Sequence, residues 1–320
     1  MTQKTLNDFE KQIAEIEKHI DILRQDAINK GEDSTEELKD IEQKRDQLLK
    51  EFFSDMDAWD NALLARHQKR PYTLDYVRSI FDEFIELHGD RLFGDDRAMV
   101  CGIGNIGNIQ AAFVGQQKGR DLKDRQYRNF GSARPEGYRK AMRIMKLAEK
   151  YRRPIICFVD TPAADCSVGA EERGISEAIA RNMMDMMCLS VPVIAVVIGE
   201  GGSGGAIGIA VANRVAMLEH SIYSVIPPEG CAAILWRDPS KAKDAAQALK
   251  INAQNAKELG VVDDIIPEPL GGAHRNAEET AQNIKSYIIE TLSELNKLSG
   301  DELAEERYKK FRNFGRFVEA

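Results

Sequence analysis

No run of this chain reaches the roughly 18 consecutive apolar residues of a membrane-spanning helix, so no such helix is expected. Cysteine is scarce and never paired: Cys101, Cys157, Cys166, Cys188 and Cys231 offer no Cys-x-x-Cys spacing. That excludes a disulfide framework and a thiolate zinc ribbon. The five histidines are equally scattered, and no metal is expected in this chain. Positive charge is in deficit, 44 Lys and Arg against 52 Asp and Glu, for a formal charge of −8. Non-specific nucleic-acid binding needs a basic footprint and is not expected. The opening residues, Met1-Thr-Gln-Lys-Thr-Leu-Asn-Asp-Phe9, lack a signal-peptide apolar core, which makes the cytoplasm the default expectation.

What is present centres on Val191 to Ala206. Val193 to Ile198 is a short, β-branched run that reads as a strand buried on both faces. It runs into Gly199-Glu-Gly-Gly-Ser-Gly-Gly205, followed by a small-residue helix. Glycines let a backbone or ligand approach closely. The first turn of the helix leaves amide N–H groups without intrahelical partners, at the positive end of its dipole. Gly204 and Gly205 fall where those donors lie, a place for a negative oxygen. A tight turn with close helix–strand packing is the plainer alternative.

Around this centre the chain reads as α/β. Phe9, Ile13, Ile16, Ile20 and Leu23, then Leu38, Ile41, Leu48 and Leu49, recur at helical spacing either side of Asn29–Asp33, with Ser34 as a helix start. Residues 1–60 therefore predict a helical hairpin, 61–272 a core, and 273–320 a helical tail. Within the core we expect a helix over Leu74–Leu87 and strands at Met99–Ile103 and Ile109–Gly115. A basic loop follows over Gln116–Arg134, then a helix from Pro135 to about Tyr151. Beyond it come strands at Ile155–Val159 and Val193–Ile198 with a helix over Glu171–Leu189 between them. Short strands at Val215–Leu218, Ile222–Ile226 and Val261–Ile266 complete the pattern. Strand pairs alternating with single helices favour a stacked ββα spiral over a doubly wound sheet. Met183, Met184, Met186 and Met187 read as core or interface.

Several long motifs occur in order. They are Arg70-Pro-Tyr-Thr-Leu-Asp-Tyr76, Gly115-Gln-Gln-Lys-Gly-Arg120, Asn129-Phe-Gly131, Pro135-Glu-Gly-Tyr-Arg-Lys-Ala141, Ala170-Glu-Glu-Arg-Gly174, Ile198-Gly-Glu-Gly-Gly-Ser-Gly-Gly-Ala206, Tyr223-Ser-Val225, Pro228-Glu-Gly230 and Glu268-Pro-Leu-Gly-Gly-Ala-His274. Together they resemble the alpha subunits of bacterial acetyl-CoA carboxylase carboxyltransferases over nearly the whole chain. The resemblance implies a crotonase-like ββα superhelix with a helical N-terminal hairpin and a helical C-terminal tail. It implies a beta subunit in an α2β2 heterotetramer, with the zinc on that beta subunit. The biotin carboxyl carrier protein and, in the larger complex, biotin carboxylase are the other implied partners. The implied reaction moves a carboxyl group from carboxybiotin on the carrier to acetyl-CoA, giving malonyl-CoA for fatty-acid synthesis. Negative charge develops on the biotin ureido oxygen and on a thioester enolate, each needing preorganised donors worth roughly 2.7–4 kcal/mol apiece. By resemblance Gly204 and Gly205 serve the first, the beta subunit serves the second, and biotin acts as the base.

Lys118, Arg120, Lys123, Arg125 and Arg128 form a basic cluster in an acidic chain. It reads either as a solvated loop or as attraction for CoA phosphates or the carrier. Lys118, Arg120, Ala163, Ala164, Asp165, Gly201 and Gly202 are the candidate substrate-binding residues. Asp160-Thr-Pro-Ala-Ala-Asp-Cys-Ser167 stands where the family usually reads Asp-Thr-Pro-Gly-Ala-Tyr-Pro-Gly. Ala163 and Ser167 restrict the backbone if positive φ is required there, and Asp165 adds a charge near anionic substrates. Cys101, Ser132, Ile175 and Pro227 also depart from the family pattern. A paralogue with altered acyl-CoA specificity, or without activity, is the alternative expectation. A second is a serine hydrolase using Gly201-Gly-Ser-Gly-Gly205 as a nucleophile elbow, with Asp263 or Asp264 and His274 completing a triad.

Overall fold

The computed structural model describes residues 6–30 and 36–315. Two long helices, α1 (Leu6–Lys30) and α2 (Glu36–Ser54), form the N-terminal hairpin, while residues 31–35, Ser34 included, lie outside the described residues. Their narrow apolar stripe closes on itself: the Phe9 and Phe52 rings stack at 3.9 Å with Ile13 and Leu49 buried beside them. Next come α3 (Ala58–Ala65), α4 (Thr73–Ile80) and strand β1 (Glu83–Glu86). The helix expected over Leu74–Leu87 thus stops at Ile80. Phe81 turns extended, and Glu83 to Glu86 alternates between exposed and half-buried as an edge strand antiparallel to β2.

Strands β2 (Met99–Ile106) and β3 (Ile109–Gln116) make a hairpin. The basic loop contains α5 (Leu122–Tyr127), and α6 (Pro135–Lys150) follows with proline in its first turn. After β4 (Ile155–Thr161), the single helix expected over Glu171–Leu189 is two, α7 (Val168–Glu172) and α8 (Ile175–Met187). Gly174 at φ +78° breaks them, a left-handed conformation that glycine adopts without strain. Then come β5 (Val193–Gly202), α9 (Ser203–Ile207), β6 (Arg214–Leu218), β7 (Ile222–Ser224), α10 (Pro228–Trp236), α11 (Ala242–Leu249), α12 (Ala253–Glu258), β8 (Asp264–Ile266), α13 (Ala277–Leu295) and α14 (Gly300–Arg312).

The strands form one eight-stranded sheet, seven in the order β1-β2-β3-β4-β5-β6-β8 and β7 paired with β5 off this path. Its first three strands are antiparallel and the others parallel. Strand β5 pairs with β6 along Ile194–Val197 and with β7 along Glu200–Gly202, so the sheet turns a corner at the end of β5. This is the ββα spiral, and the fold is crotonase-like. Alternation sends Cys157, Val159, Ala195 and Val197 into a core with α6 and α8, and Phe158, Val196 and Ile198 into a second core with α4 and α13. Two buried faces explain why β4 and β5 read as continuous apolar runs.

The corner is pinned from behind. Arg70 is 1% exposed and forks onto both carboxylate oxygens of Glu268, while its Nε donates to Ile198 O at 2.8 Å. The same carboxylate accepts from His220 N at 3.0 Å and Ala273 N at 2.6 Å. Burial raises the Glu268 carboxyl, but the Arg70 charge and hydrogen bonds outweigh it and hold the carboxyl at about 2. A depressed acid stabilises the fold above its ordinary pKa and loses that contribution as pH falls. Stability should therefore fall as pH drops from about 4.5 towards 2. Glu268→Gln should cost about 3–5 kcal/mol and flatten that limb. Arg24→Ala, breaking an exposed pair with Glu42, should cost under about 1 kcal/mol. Chemical denaturation across pH measures all three.

Candidate functional site

The site grows from the last residues of β5. Gly202 lies so close to the β4 exit that a Cβ would fall 2.0 Å from Pro162 O, and one on Gly201 would fall 2.7 Å from Tyr223 Cδ2. Both positions are glycine because neighbouring atoms occupy the space, and contact with a substrate is not needed to explain them. Ser203 then takes φ +50°, an uncommon left-handed value for a residue with a side chain, and the chain turns into α9. No side chain caps α9, so the amides of its first turn, Gly204 and Gly205 among them, have no intrahelical acceptor.

The two glycines differ. A Cβ on Gly205 would fall 2.7 Å from Ala163 C and Ala164 N, whereas one on Gly204 comes no nearer than 3.4 Å, to Ile179 Cδ1. The Gly205 carbonyl accepts from Gln116 Nε2 at 2.9 Å and Tyr138 Oη at 3.3 Å. Gln116 also accepts from Asp160 N through Oε1 at 3.1 Å, tying β3 and β4 to α9. Gly204 lines an open apolar cavity of about 680 Å³. Met183, Met187, Ile207, Tyr223 and Phe311 share its wall.

Beneath the glycines lies a buried ion network. Lys118 Nζ sits 2.7 Å from Asp160 Oδ1 and 2.9 Å from Glu200 Oε1. Arg66 reaches Glu200 Oε2 at 2.7 Å and Glu229 Oε1 at 2.6 Å, and Asp160 Oδ1 accepts from Glu200 N at 2.9 Å. Burial opposes the charged Lys118, yet Asp160 and Glu200 together raise it, so it stays an ammonium ion. Burial raises Glu200, but Lys118 and Arg66 outweigh it; burial dominates at Asp160.

Lys118, Arg120 and Asp165, singled out in the sequence, are already paired within the chain. Lys118 faces inward and is consumed by two carboxylates. Arg120 lies over the Tyr72 ring, donates to Gln68 O and Arg70 O, and pairs with Asp75. Arg125 and Arg128 donate to carbonyls of the same neighbourhood, Gly119 O and Arg97 O. Ala163 O accepts from Thr161 Oγ1 at 2.7 Å, and Ala164 packs at the edge of the first core. Asp165 is paired with Arg134 at 3.2 Å. Ala163 is not among the residues at positive φ, and Ser167 sits at φ −69° capping α7, so neither position requires glycine. Cys101 and Ile175 are buried core residues, Ser132 O accepts from Asn129, and Pro227 precedes α10. The proposed triad does not assemble: His274 bonds Glu10, Asp263 bonds Lys310, and Asp264 bonds Tyr287. Gln116, Tyr138, Asp160 and Glu200 stand in motifs visible in the sequence and Arg66 in none; only the tertiary pairing reveals their use.

The acetyl co-enzyme A carboxylase carboxyltransferase-like family model matches residues 6–315. The acetyl-coenzyme A carboxylase carboxyl transferase subunit alpha of Staphylococcus haemolyticus (strain JCSC1435) is 53% identical over 312 residues, 98% of this chain and 99% of that protein. The subunit of the same name from Staphylococcus aureus (strain MRSA252) is 52% identical with the same coverage. A Pseudomonas malonate decarboxylase heterotetramer solved with coenzyme A shares the fold at TM-score 0.59 and 15% identity, over 73% of this chain and 91% of that one. A transcarboxylase 12S structure does so at TM-score 0.55 and 18% identity, over 70% of this chain and 42% of that one.

The glycine geometry predicts unequal costs. Gly205→Ala should destabilise by about 1–3 kcal/mol, since backbone must move to admit the methyl. Gly204→Ala should stay within about 0.5 kcal/mol. Thermal and urea unfolding of the two variants compares them directly.

Proposed function

This chain belongs to the acetyl co-enzyme A carboxylase carboxyltransferase family, and on that premise we propose how its own residues serve carboxyl transfer to acetyl-CoA. It is the alpha-type subunit of that transferase and works within a complex. The carrying observation is Gly204, whose Cα has room for a methyl beside Ile179 and which lies at the wall of an apolar cavity.

The cavity fits a bicyclic ring that is apolar on its faces and polar at one edge, as biotin is. When bound, carboxybiotin on a carrier protein supplies the carboxyl group. The Gly204 and Gly205 N–H groups donate to the oxygen on which negative charge develops, a role worth roughly 2.7–4 kcal/mol per donor. Gln116 and Tyr138, by gripping the Gly205 carbonyl, fix the direction in which the first turn of α9 points. Met183, Met187, Ile207 and Phe311 line the approach with apolar surface, which strengthens those hydrogen bonds by keeping water away. The donors for the thioester enolate come from a beta subunit, which also carries the zinc, in an α2β2 assembly. Lys118 and Asp160 act as positioning residues, while Ala163 and Ala164 shape the loop against Gly205.

Reconstitution tests this reading. The alpha chain alone should show no turnover of acetyl-CoA with carboxybiotin, and addition of the beta subunit and carboxylated carrier should restore malonyl-CoA formation. Gly204→Val should lower kcat about 10²-fold, the size of one lost oxyanion donor, without loss of assembly. Ser203→Ala should retain most activity, since no acid–base pair accompanies that hydroxyl among the described residues. Turnover by the isolated chain, or an inactive Ser203→Ala, contradicts the assignment.

The Asp165–Arg134 pair bears on the alternative of altered specificity. Because the charge is neutralised locally, Asp165 need not repel an anionic substrate. Restoring Gly-Ala-Tyr-Pro-Gly at 163–167 should leave the ranking of acyl-CoAs by kcat/KM unchanged. A new ranking favours the altered-specificity reading.

A further inference from the structure

The histidines that look scattered in the sequence are not scattered in space. His67 follows α3, His274 lies between β8 and α13, and Glu10 is on α1. The two imidazole rings lie 4.2 Å apart between centroids, and Glu10 Oε1 is 3.2 Å from His274 Nε2. One donor atom from each of the three lies within 4.8 Å of the others. The His274 side chain is only 3% exposed, and its Nδ1 is buried without a hydrogen-bond partner among the described residues. The ring nitrogen that faces Glu10 is Nε2, while Nδ1 lies on the side of Gly272.

We propose that Glu10, His67 and His274 form a binding site for one divalent transition-metal ion of the zinc class, which fastens helix α1 to the core. Two imidazole nitrogens and one carboxylate oxygen suit zinc, with water in a fourth position. In a tetrahedral site, ligand atoms about 2.0–2.2 Å from the ion lie about 3.4 Å apart, so the three side chains must close by up to about 1.4 Å in mutual separation. An outer partner is already in place: Arg275 holds Glu10 Oε2 at 2.7 Å and Glu17 Oε1 at 2.5 Å, which leaves Glu10 Oε1 towards the imidazoles. The position gives the ion a purpose. The hairpin's own apolar cluster is small, and each ligand comes from a different part of the chain. This inference is independent of the carboxyl-transfer reading.

The test uses the full-length chain without any partner, stripped by a chelator. Zn²⁺ is titrated by calorimetry and Co²⁺ by visible absorption, in the unaltered protein, in Glu10→Gln, in His67→Gln, and in a Cys166→Ser/Cys188→Ser control that removes the exposed thiols. One ion should bind per chain, and each ligand variant should weaken binding by at least about 10-fold. The cysteine control should bind like the unaltered chain. Zn²⁺ should raise Tm and slow proteolysis between α2 and α3 in the unaltered chain and in the cysteine control, and not in the ligand variants. Should a ligand variant fail to fold, the Co²⁺ spectrum of the unaltered chain decides, since thiolate charge-transfer bands overturn the proposal and nitrogen–oxygen ligand-field bands support it. Absence of stoichiometric binding, or binding that survives Glu10→Gln and His67→Gln, overturns it as well.

Discussion

Everything at the end of β5 depends on charges taken out of water. Asp160, Glu200 and Glu268 are buried within a short reach of the strand's last residues, and Lys118, Arg66 and Arg70 are buried or half-buried against them. Each such ion costs several kcal/mol to desolvate, and pairing in good geometry roughly offsets that cost without a large net gain. The network therefore contributes little to stability as a whole, but no member can leave without stranding another. That asymmetry fixes position. Strand β5 must leave the main sheet, pair with β7, and present Ser203 at positive φ, and the ion pairs behind it hold that corner.

The motifs of the sequence become intelligible as halves of these contacts. Arg70-Pro-Tyr-Thr and Glu268-Pro-Leu-Gly-Gly are about 200 positions apart, yet they form one bidentate pair. Gly115-Gln-Gln-Lys supplies the close approach to Thr73, the Gln116 bridge to Gly205 and Asp160, and the ammonium between Asp160 and Glu200. Motif order and resemblance were enough to anticipate the fold, the ββα spiral and the family. Burial on both faces made β4 and β5 easy to read, because a short apolar run without alternation leaves no face for water.

What stayed hidden was whatever depends on partners distant in the chain. Lys118 and Arg120 look like a basic landing strip because charge in a sequence carries no direction. In the fold one points inward to two carboxylates and the other lies over Tyr72 against Asp75. The end of α4 is hard to read because Glu83 to Glu86 continues a helical pattern that only pairing with β2 converts into a strand. Asp165 looks disruptive without sight of Arg134. The clustering of Glu10, His67 and His274 has no local signal at all, since its members come from opposite ends of the chain.

The central claim is that the Lys118 ammonium holds the corner carrying Gly204 and Gly205 and makes no contact with substrate. The direct measurement is the steady-state kinetics of Lys118→Met in the reconstituted, folded complex, with acetyl-CoA varied at several salt concentrations. A positioning role predicts that kcat falls while KM for acetyl-CoA and its salt dependence stay as they were. A raised KM with kcat preserved, and a weaker dependence on salt, would place the lysine on the CoA phosphates and contradict the account.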